Sequence, residues 1–299
     1  MDLIQTLADW IRQANKITIL SGAGISTESG IPDFRSSNGV WTCDLSRQEL
    51  MSLSYFNRHR ERFWTAYKDI FHIKLAGNFQ PNHGHIFLYE LEKQGKDISI
   101  FTQNVDGLHQ LSGSTKVFEV HGSMRAAYCT HCGEEYDLDY IRSQEIPMCK
   151  KIEEKENVCN NYIPIFQHPF NYRDCTECGT RHEIHQIQAE GIRCKGKKKR
   201  QVKCNHILKP DVVLFGDSIR YYQEAKRIAT QSDLFLVLGT SLQVGPINEI
   251  PMFYPKYKNS VIINHDETEF DSYFKLVIHG SISETFQKVS KLLNASSSQ

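Results

Sequence analysis

An α/β fold, a parallel sheet with helices on both faces, is predicted for this 299-residue chain by three observations. Short apolar runs at residues 17–20, 98–102, 234–238 and 261–264 are well separated, with helical stretches between them. Strands buried on both faces read as continuous apolar runs, and parallel neighbours need a crossover connection. Each run also leads into small or polar residues: Ser21-Gly22-Ala23-Gly24, Gln103-Asn104-Val105-Asp106, Gly239-Thr240-Ser241 and Asn264-His265-Asp266. In such sheets ligands bind beyond the carboxyl ends of the strands, so these strand ends predict one crevice.

The elements follow in order. Leu3, Ile4, Leu7, Trp10 and Ile11 share one face of an N-terminal helix, and Asp2, Asp9, Arg12 and Lys16 interrupt any apolar signal core. The first strand opens into a loop rich in glycine and hydroxyls. Its glycines let backbone amides approach a phosphate, which makes Gly22, Ala23, Gly24 and Ser26 a candidate cradle. Asp33, Phe34 and Arg35 supply side chains to close over a bound ligand. Residues 42–87 are aromatic and basic; Phe56, Phe63, Trp64, Tyr67 and Phe71 are spaced for helices and are read as the core of a small helical module. Residues 126–207 interrupt the sheet. The sheet domain is thus assembled from 1–41, 88–125 and 208–293, with a Ser-rich tail, 294–299, expected to be disordered.

Charge narrows the function classes. Lys+Arg and Asp+Glu are both 35, so no whole-chain charge points to nucleic acid or membrane. No apolar run is long enough to span a bilayer. The expected compartment is reducing and cytoplasmic, with a nuclear address left open, and cysteines there point to metal. Eight of the 9 cysteines lie in the interrupting segment. Cys129-x2-Cys132-x16-Cys149-x9-Cys159 is followed by Cys175-x2-Cys178-x15-Cys194-x9-Cys204, and Thr130, Gly133, Lys150 and Asn160 are matched by Thr176, Gly179, Lys195 and Asn205. The pattern reads as a tandem ribbon, 129–159 and 175–204. Four thiolates suit tetrahedral zinc and leave no position for water or substrate, so the metal is structural, two ions per chain. Two alternatives stay open: the halves exchange pairs, for instance Cys129 and Cys132 with Cys194 and Cys204, or one site alone is filled. Cys43 stands outside the repeat. The basic run Lys195-Gly196-Lys197-Lys198-Lys199-Arg200 is read as a solvated loop rather than a nucleic-acid contact, because it lacks neighbouring aromatics.

Taken together, these motifs resemble the sirtuin family of NAD-dependent protein deacylases. The likeness is carried by Gly22-Ala23-Gly24-Ile25-Ser26 with Gly30-Ile31-Pro32-Asp33-Phe34-Arg35, by Thr102-Gln103-Asn104-Val105-Asp106-Gly107-Leu108-His109, and by Glu119-Val120-His121-Gly122-Ser123. It continues through Lys209-Pro210-Asp211-Val212-Val213-Leu214-Phe215-Gly216-Asp217, Gly239-Thr240-Ser241-Leu242-Gln243-Val244 and Ile263-Asn264-His265-Asp266. The resemblance implies a Rossmann-type NAD domain with a smaller domain made of the helical module and a zinc ribbon. It implies that NAD is a co-substrate, that an acyl-lysine peptide is the partner, and that the products are nicotinamide, O-acyl-ADP-ribose and free lysine.

It also implies roles. Gly22, Ala23 and Gly24 would present amides to the pyrophosphate, and Phe34 would shield the anomeric carbon from water. Gln103, Asn104 and Asp106 would hold ribose and carboxamide, with Asn104 acting beside His121 as the catalytic pair. His121 would be the general base, since an imidazole can accept a ribose-hydroxyl proton near neutral pH. Gly239, Thr240, Ser241, Asn264 and Asp266 would bind the adenosine side. Val213, Leu214, Phe215 and Gly216 would pair with substrate as a strand. His83, His85 and His109 are read as structural. The chain departs from the family in its doubled ribbon, in Asp217 where a glutamate is usual, and in Trp64-Thr65-Ala66-Tyr67, which offers no guanidinium to an acidic acyl group. Uncharged acyl groups are therefore expected. Two other readings compete: an NAD glycohydrolase or mono-ADP-ribosyltransferase on the same fold, and a non-catalytic zinc-ribbon interaction module.

Overall fold

Alternate residues of the strand Lys16–Ser21 separate two cores. Ile17 and Ile19 pack with Leu7, Ile11, Phe87 and Phe286 on one side of the sheet. Leu20 packs with Phe101, Phe235, Val237 and Ala229 on the other. This period of two is what a strand buried on both faces requires, and it places helices on each side. The computed structural model describes residues 2–34, 46–163, 172–183 and 192–296. The chain divides into two units, one formed by Met1–Tyr128, Glu135–Pro147 and Lys209–Gln299, the other by Cys129–Glu134 and Met148–Leu208.

The first unit holds a six-stranded parallel sheet in the order Leu276–His279, Asn259–Asn264, Leu234–Leu238, Lys16–Ser21, Asp97–Thr102, Val117–Glu119. Ile17 lies between Leu234 and Ile98 in register. The four runs read from sequence are its four inner strands. The two edge strands escaped that reading: Val117–Glu119 offers only two apolar residues, and Leu276-Val277-Ile278, although a continuous apolar run, was not singled out. Val117–Glu119 is three half-buried residues, and Leu276–His279 alternates in burial. Strand order reverses beside Lys16–Ser21, which opens the crevice at its carboxyl end.

The N-terminal helix Leu3–Gln13 starts where the Asp2 carboxylate accepts the Ile4 N–H at 3.0 Å. The helical module is Ser46–Leu50, Leu53–Arg58, Arg60–Ile70 and His72–Ala76, and Phe56, Phe63, Trp64 and Tyr67 are buried in it. Their rings meet edge to face: Phe56–Phe63 centroids are 5.1 Å apart and Trp64–Tyr67 also 5.1 Å. Arg35 and Cys43 lie outside the described residues. The last helix, Ile282–Ser296, runs past residue 293, where the sequence reading ended it.

The second unit corrects the tandem reading of the cysteines. Cys129 N–H donates to Glu134 O and Gly133 N–H to Cys129 O; the matching pair is Cys175 to Thr180 and Gly179 to Cys175. Gly133 and Gly179 have φ of 74° and 72°, so the repeated glycines serve one turn used twice. The other half of each site crosses the repeat. Asn205 N–H donates to Cys149 O, and Asn160 N–H to Cys194 O, with both asparagines left-handed. One ribbon is therefore nested in the other. The antiparallel pair Ile152–Val158 and Lys197–Lys203 joins them, running from Ile152 opposite Lys203 to Val158 opposite Lys197. The basic run is thus part of a strand, not a loop. Three of its four lysines are paired: Lys197 with Glu156 at 2.9 Å, Lys198 with Glu177 at 2.6 Å, and Lys199 with Glu154 at 3.2 Å. Such exposed pairs add little stability, but they offset part of the charge a nucleic acid would use.

Candidate active site and cysteine tetrads

The loop after the first strand is packed backbone to backbone against the loop after the strand Leu234–Leu238. Gly22 N–H donates to Leu238 O at 2.9 Å and Gly24 N–H to Gly239 O at 2.8 Å. A Cβ on Gly24 would lie 2.7 Å from Gly239 Cα, and one on Gly22 2.6 Å from Thr240 Cβ. Glycine is therefore required here first for close packing. It also corrects the expected cradle: the amides of Gly22, Gly24 and Ser26 are engaged within the protein, and Ala23 N–H is the one left to meet a ligand among the described residues.

These loops wall a cavity of about 1040 Å³ at the strand ends. Of the residues singled out from sequence, Gly22, Ala23, Gly24, Asp33, Phe34, Gln103, Asn104 and His121 line it. So do Val213, Leu214, Phe215, Gly216, Gly239, Thr240, Ser241, Asn264 and Asp266. Ser26 and Asp106 stand behind the wall as braces. Ser26 Oγ donates to Asp106 Oδ2 at 2.8 Å and accepts from Asn104 Nδ2 at 3.1 Å. This holds the Asn104 amide so that its buried Oδ1 is left without a partner. A buried acceptor lacking a donor is costly, and a ligand hydroxyl would satisfy it.

His121 sits at the end of a sharp turn. Gly122 follows with φ of 73°, and a Cβ there would lie 1.9 Å from Asp211 O, so the backbone leaves no room for a side chain. His121 Nδ1 is 3.2 Å from Gln103 O. A carbonyl can only accept, so Nδ1 carries the proton, and in the neutral ring Nε2 carries the lone pair. Gln103 is itself fixed by Nε2 donating to Thr240 Oγ1 at 3.0 Å.

The segment expected to be a substrate-pairing strand is not one here; its strand, Lys209–Val212, stops just before it. Val213 N–H donates to His121 O, Leu214 N–H to Asp217 Oδ2 and Phe215 N–H to Met51 O. Asp217 is anchored by the buried Lys209 at 3.0 Å. Among the described residues, the Val213 carbonyl and the Gly216 backbone are what remain for a partner.

Sequence reasoning missed part of the wall. Tyr67 and Phe71 were read as module core, yet they also face the cavity, as does Met51, which the sequence did not single out. Burial, then the Asp211 carboxylate, holds the Tyr67 phenol neutral by raising its pKa. Ser281, Glu284 and Gln287 line another part, at the start of the last helix. There Ser281 Oγ accepts Glu284 N–H at 3.0 Å and donates to Glu28 Oε1 at 2.7 Å. The signal was present as Ser-Ile-Ser-Glu, a capping-box spacing just after Gly280.

Eight thiols gather as two tetrads, Cys129, Cys132, Cys149 and Cys204, and Cys159, Cys175, Cys178 and Cys194. Cys159 and Cys204 thus exchange places relative to the tandem reading. Sulfurs 3.5 Å (Cys132–Cys149), 3.6 Å (Cys129–Cys204) and 3.4 Å (Cys178–Cys194) apart approach the spacing of about 3.8 Å set by four ligands near 2.3 Å from one zinc. The thiolate form is favoured at Cys175. Burial opposes it, but N–H donors of Glu177, Asn161 and Cys178 bring its pKa down to about 6. The donor set fits zinc, and the closed coordination makes it structural.

A glycine loop packed against the strand ends of a doubly wound parallel sheet, with a cavity beyond them, defines a Rossmann-type nucleotide-binding protein. The Sir2 family pattern matches residues 22–246. The chain is 40% identical over 284 residues, 94% of this chain and 96% of the relative, to an NAD-dependent protein deacetylase of Bacillus subtilis (strain 168). It is 38% identical over 298 residues, 99% and 100%, to NAD-dependent protein deacetylase 2 of Geobacillus kaustophilus (strain HTA426). It is similar to a solved Sir2 with a p53 peptide and NAD+, at TM-score 0.69 and 27% identity, covering 99% of this chain and 100% of that one. A likeness of TM-score 0.68 at 27% identity, covering 98% of each chain, relates it to Sir2Tm bound to a propionylated peptide. This chain belongs to the Sir2 family.

Proposed function

We propose that the chain is an NAD-dependent protein lysine deacylase acting on uncharged acyl groups. The observation that carries this reading is the place of His121 on the cavity wall with Nδ1 against Gln103 O, the arrangement in which a neutral ring keeps its basic lone pair on Nε2. When bound, NAD supplies the ADP-ribosyl group that takes the acyl oxygen, with nicotinamide as leaving group. Asn104 Oδ1 accepts a ribose hydroxyl, Ala23 N–H meets the diphosphate, and Asp266 and Asn264 hold the adenosine end. His121 takes a proton from the ribose. Phe34 keeps water from the reacting carbon until the acyl oxygen is in place.

The substrate peptide lies along the Val213 carbonyl and the Gly216 backbone, main-chain contacts that recognise a lysine-bearing strand of little fixed sequence. Met51, Tyr67 and Phe71 receive the acyl group. Among the described lining residues there are six carboxylates, Glu28, Asp33, Asp217, Asp266, Glu267 and Glu284, but no Lys or Arg, which supports exclusion of acidic acyl groups. The tetrads hold two structural zinc ions. Thiols in this number suit a reducing compartment, and we place the protein in the cytoplasm on that ground. No helix among the described residues is long and apolar enough to cross a membrane.

The test is mass spectrometry of products from NAD with acetyl-, propionyl-, longer neutral and succinyl-lysine peptides. O-acyl-ADP-ribose from the neutral peptides is expected, and His121→Ala should lower turnover about 100- to 10,000-fold with an unchanged melting temperature. ADP-ribose alone, or an ADP-ribosylated protein, would assign the glycohydrolase or transferase reading instead. Faster desuccinylation than deacetylation would overturn the acyl preference.

A further inference from the structure

The short helix His72–Ala76 turns Phe71 and Leu75 into the protein but also carries a half-buried lysine. Lys74 Nζ lies 3.8 Å from the centroid of the Phe34 ring. Among the described residues, the charged groups that face it are Asp106, from the loop after Asp97–Thr102, and Asp33, from the first loop. Asp106 is in turn held by Ser26. A half-buried ammonium needs a partner, and the negative face of an aromatic ring supplies one. Phe34 lines the cavity beside Ala23 and Asp33.

We propose that Lys74 is a positioning residue that holds the Phe34 ring over the reacting carbon and so decides how tightly NAD cleavage is coupled to deacylation. The inference rests on the deacylase reading above. With Phe34 in place, the acyl oxygen forms the new bond to the anomeric carbon as nicotinamide leaves with the C–N pair. With Phe34 displaced, a water oxygen forms that bond and gives its proton to solvent, releasing ADP-ribose and nicotinamide while the lysine stays acylated. An ammonium on a ring face shifts such a population by roughly two- to thirty-fold.

Burial lowers the Lys74 pKa to about 8, against the opposite pull of Asp106 and Asp33. The hold therefore exists in the charged form and fades as pH rises through that value.

The experiment compares nicotinamide released with lysine freed from an acetyl-lysine peptide, by initial rates from pH 6.5 to 9.5, in the zinc-loaded full chain. Wild type should keep the two nearly equal at neutral pH and show excess nicotinamide on the alkaline side. Lys74→Met should show that excess at every pH, roughly two- to thirty-fold above the neutral wild-type level. Lys74→Arg, which keeps a planar cation and does not titrate in this range, should restore coupling and hold it to higher pH. Equal coupling in wild type and Lys74→Met overturns the proposal, as does Lys74→Arg as leaky as Lys74→Met at matched melting temperature. If Lys74→Met does not fold, the alkaline limbs of wild type and Lys74→Arg decide, and identical limbs overturn it. Wild type that frees no lysine sinks the deacylase reading and this role together; coupling that ignores residue 74 sinks this role alone.

Discussion

Behind the cavity wall, two imidazoles are kept neutral. His109 Nε2 is 2.9 Å from Ser21 Oγ, His85 Nδ1 is 3.1 Å from Asn82 Oδ1, and the two rings meet with centroids 4.8 Å apart. Burial pushes His85 down to about 4 despite Asp106 and Glu28, and burial with His85 beside it pushes His109 well below the ordinary range. Above about pH 6.5 neither the native nor the unfolded chain protonates these groups, so they add no pH dependence. As pH falls from there toward 4, the unfolded chain takes up protons that the native chain refuses, and stability is lost. The melting temperature should therefore fall between pH 7 and 5, and His85→Gln should flatten that slope whatever its own stability. Parallel slopes would show that His85 is not the group responsible. The same residues explain why the histidines were separable in the sequence. His121 follows a strand and precedes a glycine that nothing else can replace, whereas His85 and His109 stand inside helical stretches where burial is the ordinary outcome.

At the scale of elements, the two ribbons are the informative case. The repeat shows two copies of one unit, but a Cys-Asn corner can complete either copy, so spacing along the chain cannot assign the partners. The antiparallel pair Ile152–Val158 and Lys197–Lys203 does so. It brings Val158 beside Lys197, closes the long connection between Cys149 and Cys204, and leaves Cys159 and Cys194 together at its far end. Double substitutions distinguish the arrangements by elemental analysis. Cys132 and Cys204 share a tetrad, so replacing both with serine should leave one zinc per chain. In a tandem arrangement the same pair would disable both sites and leave none. Cys159→Ser with Cys178→Ser should likewise retain one ion, because those thiols share the inner tetrad. The helical module was legible from its aromatic spacing. Its second use, as a wall of the cavity, was not, because periodicity reports that a residue is buried and not what buries it.

For the molecule as a whole, the cavity lies in the sheet unit and the two thiol tetrads in the ribbon unit, so each unit should be stabilised by its own ligand. NAD at roughly a hundredfold excess over its Kd should stabilise the native sheet unit by about 2.7 kcal/mol. In a domain of this size that corresponds to a rise of about 5–10 °C in melting temperature. A zinc chelator should instead abolish amide protection in Met148–Leu208 while sheet amides such as those of Leu234–Leu238 stay protected. Hydrogen exchange read by mass spectrometry gives both results, and loss of sheet protection on chelation would refute the separation. The balanced formal charge of the chain agrees with a binding site built from local geometry rather than from a field over the whole surface.

Much of this protein was determined by sequence alone. Apolar runs buried on both faces can settle nowhere but in the middle of a parallel sheet, and the polar residues that end them must then converge beyond its carboxyl edge. The four inner strands, the crevice that His121 lines and the eight cysteines that gather as two tetrads follow from patterns carried by neighbouring residues. The tertiary structure decided what depends on residues distant in sequence: which four thiols share an ion, that the Gly22 and Gly24 amides are engaged by Leu238 and Gly239, that Asn104 Oδ1 is left without a donor, and that Lys74 lies on the Phe34 ring. The division is physical. Periodicity and turn chemistry act over a few residues, whereas hydrogen-bond partners and ring contacts exist only once packing has brought remote segments within a few ångströms.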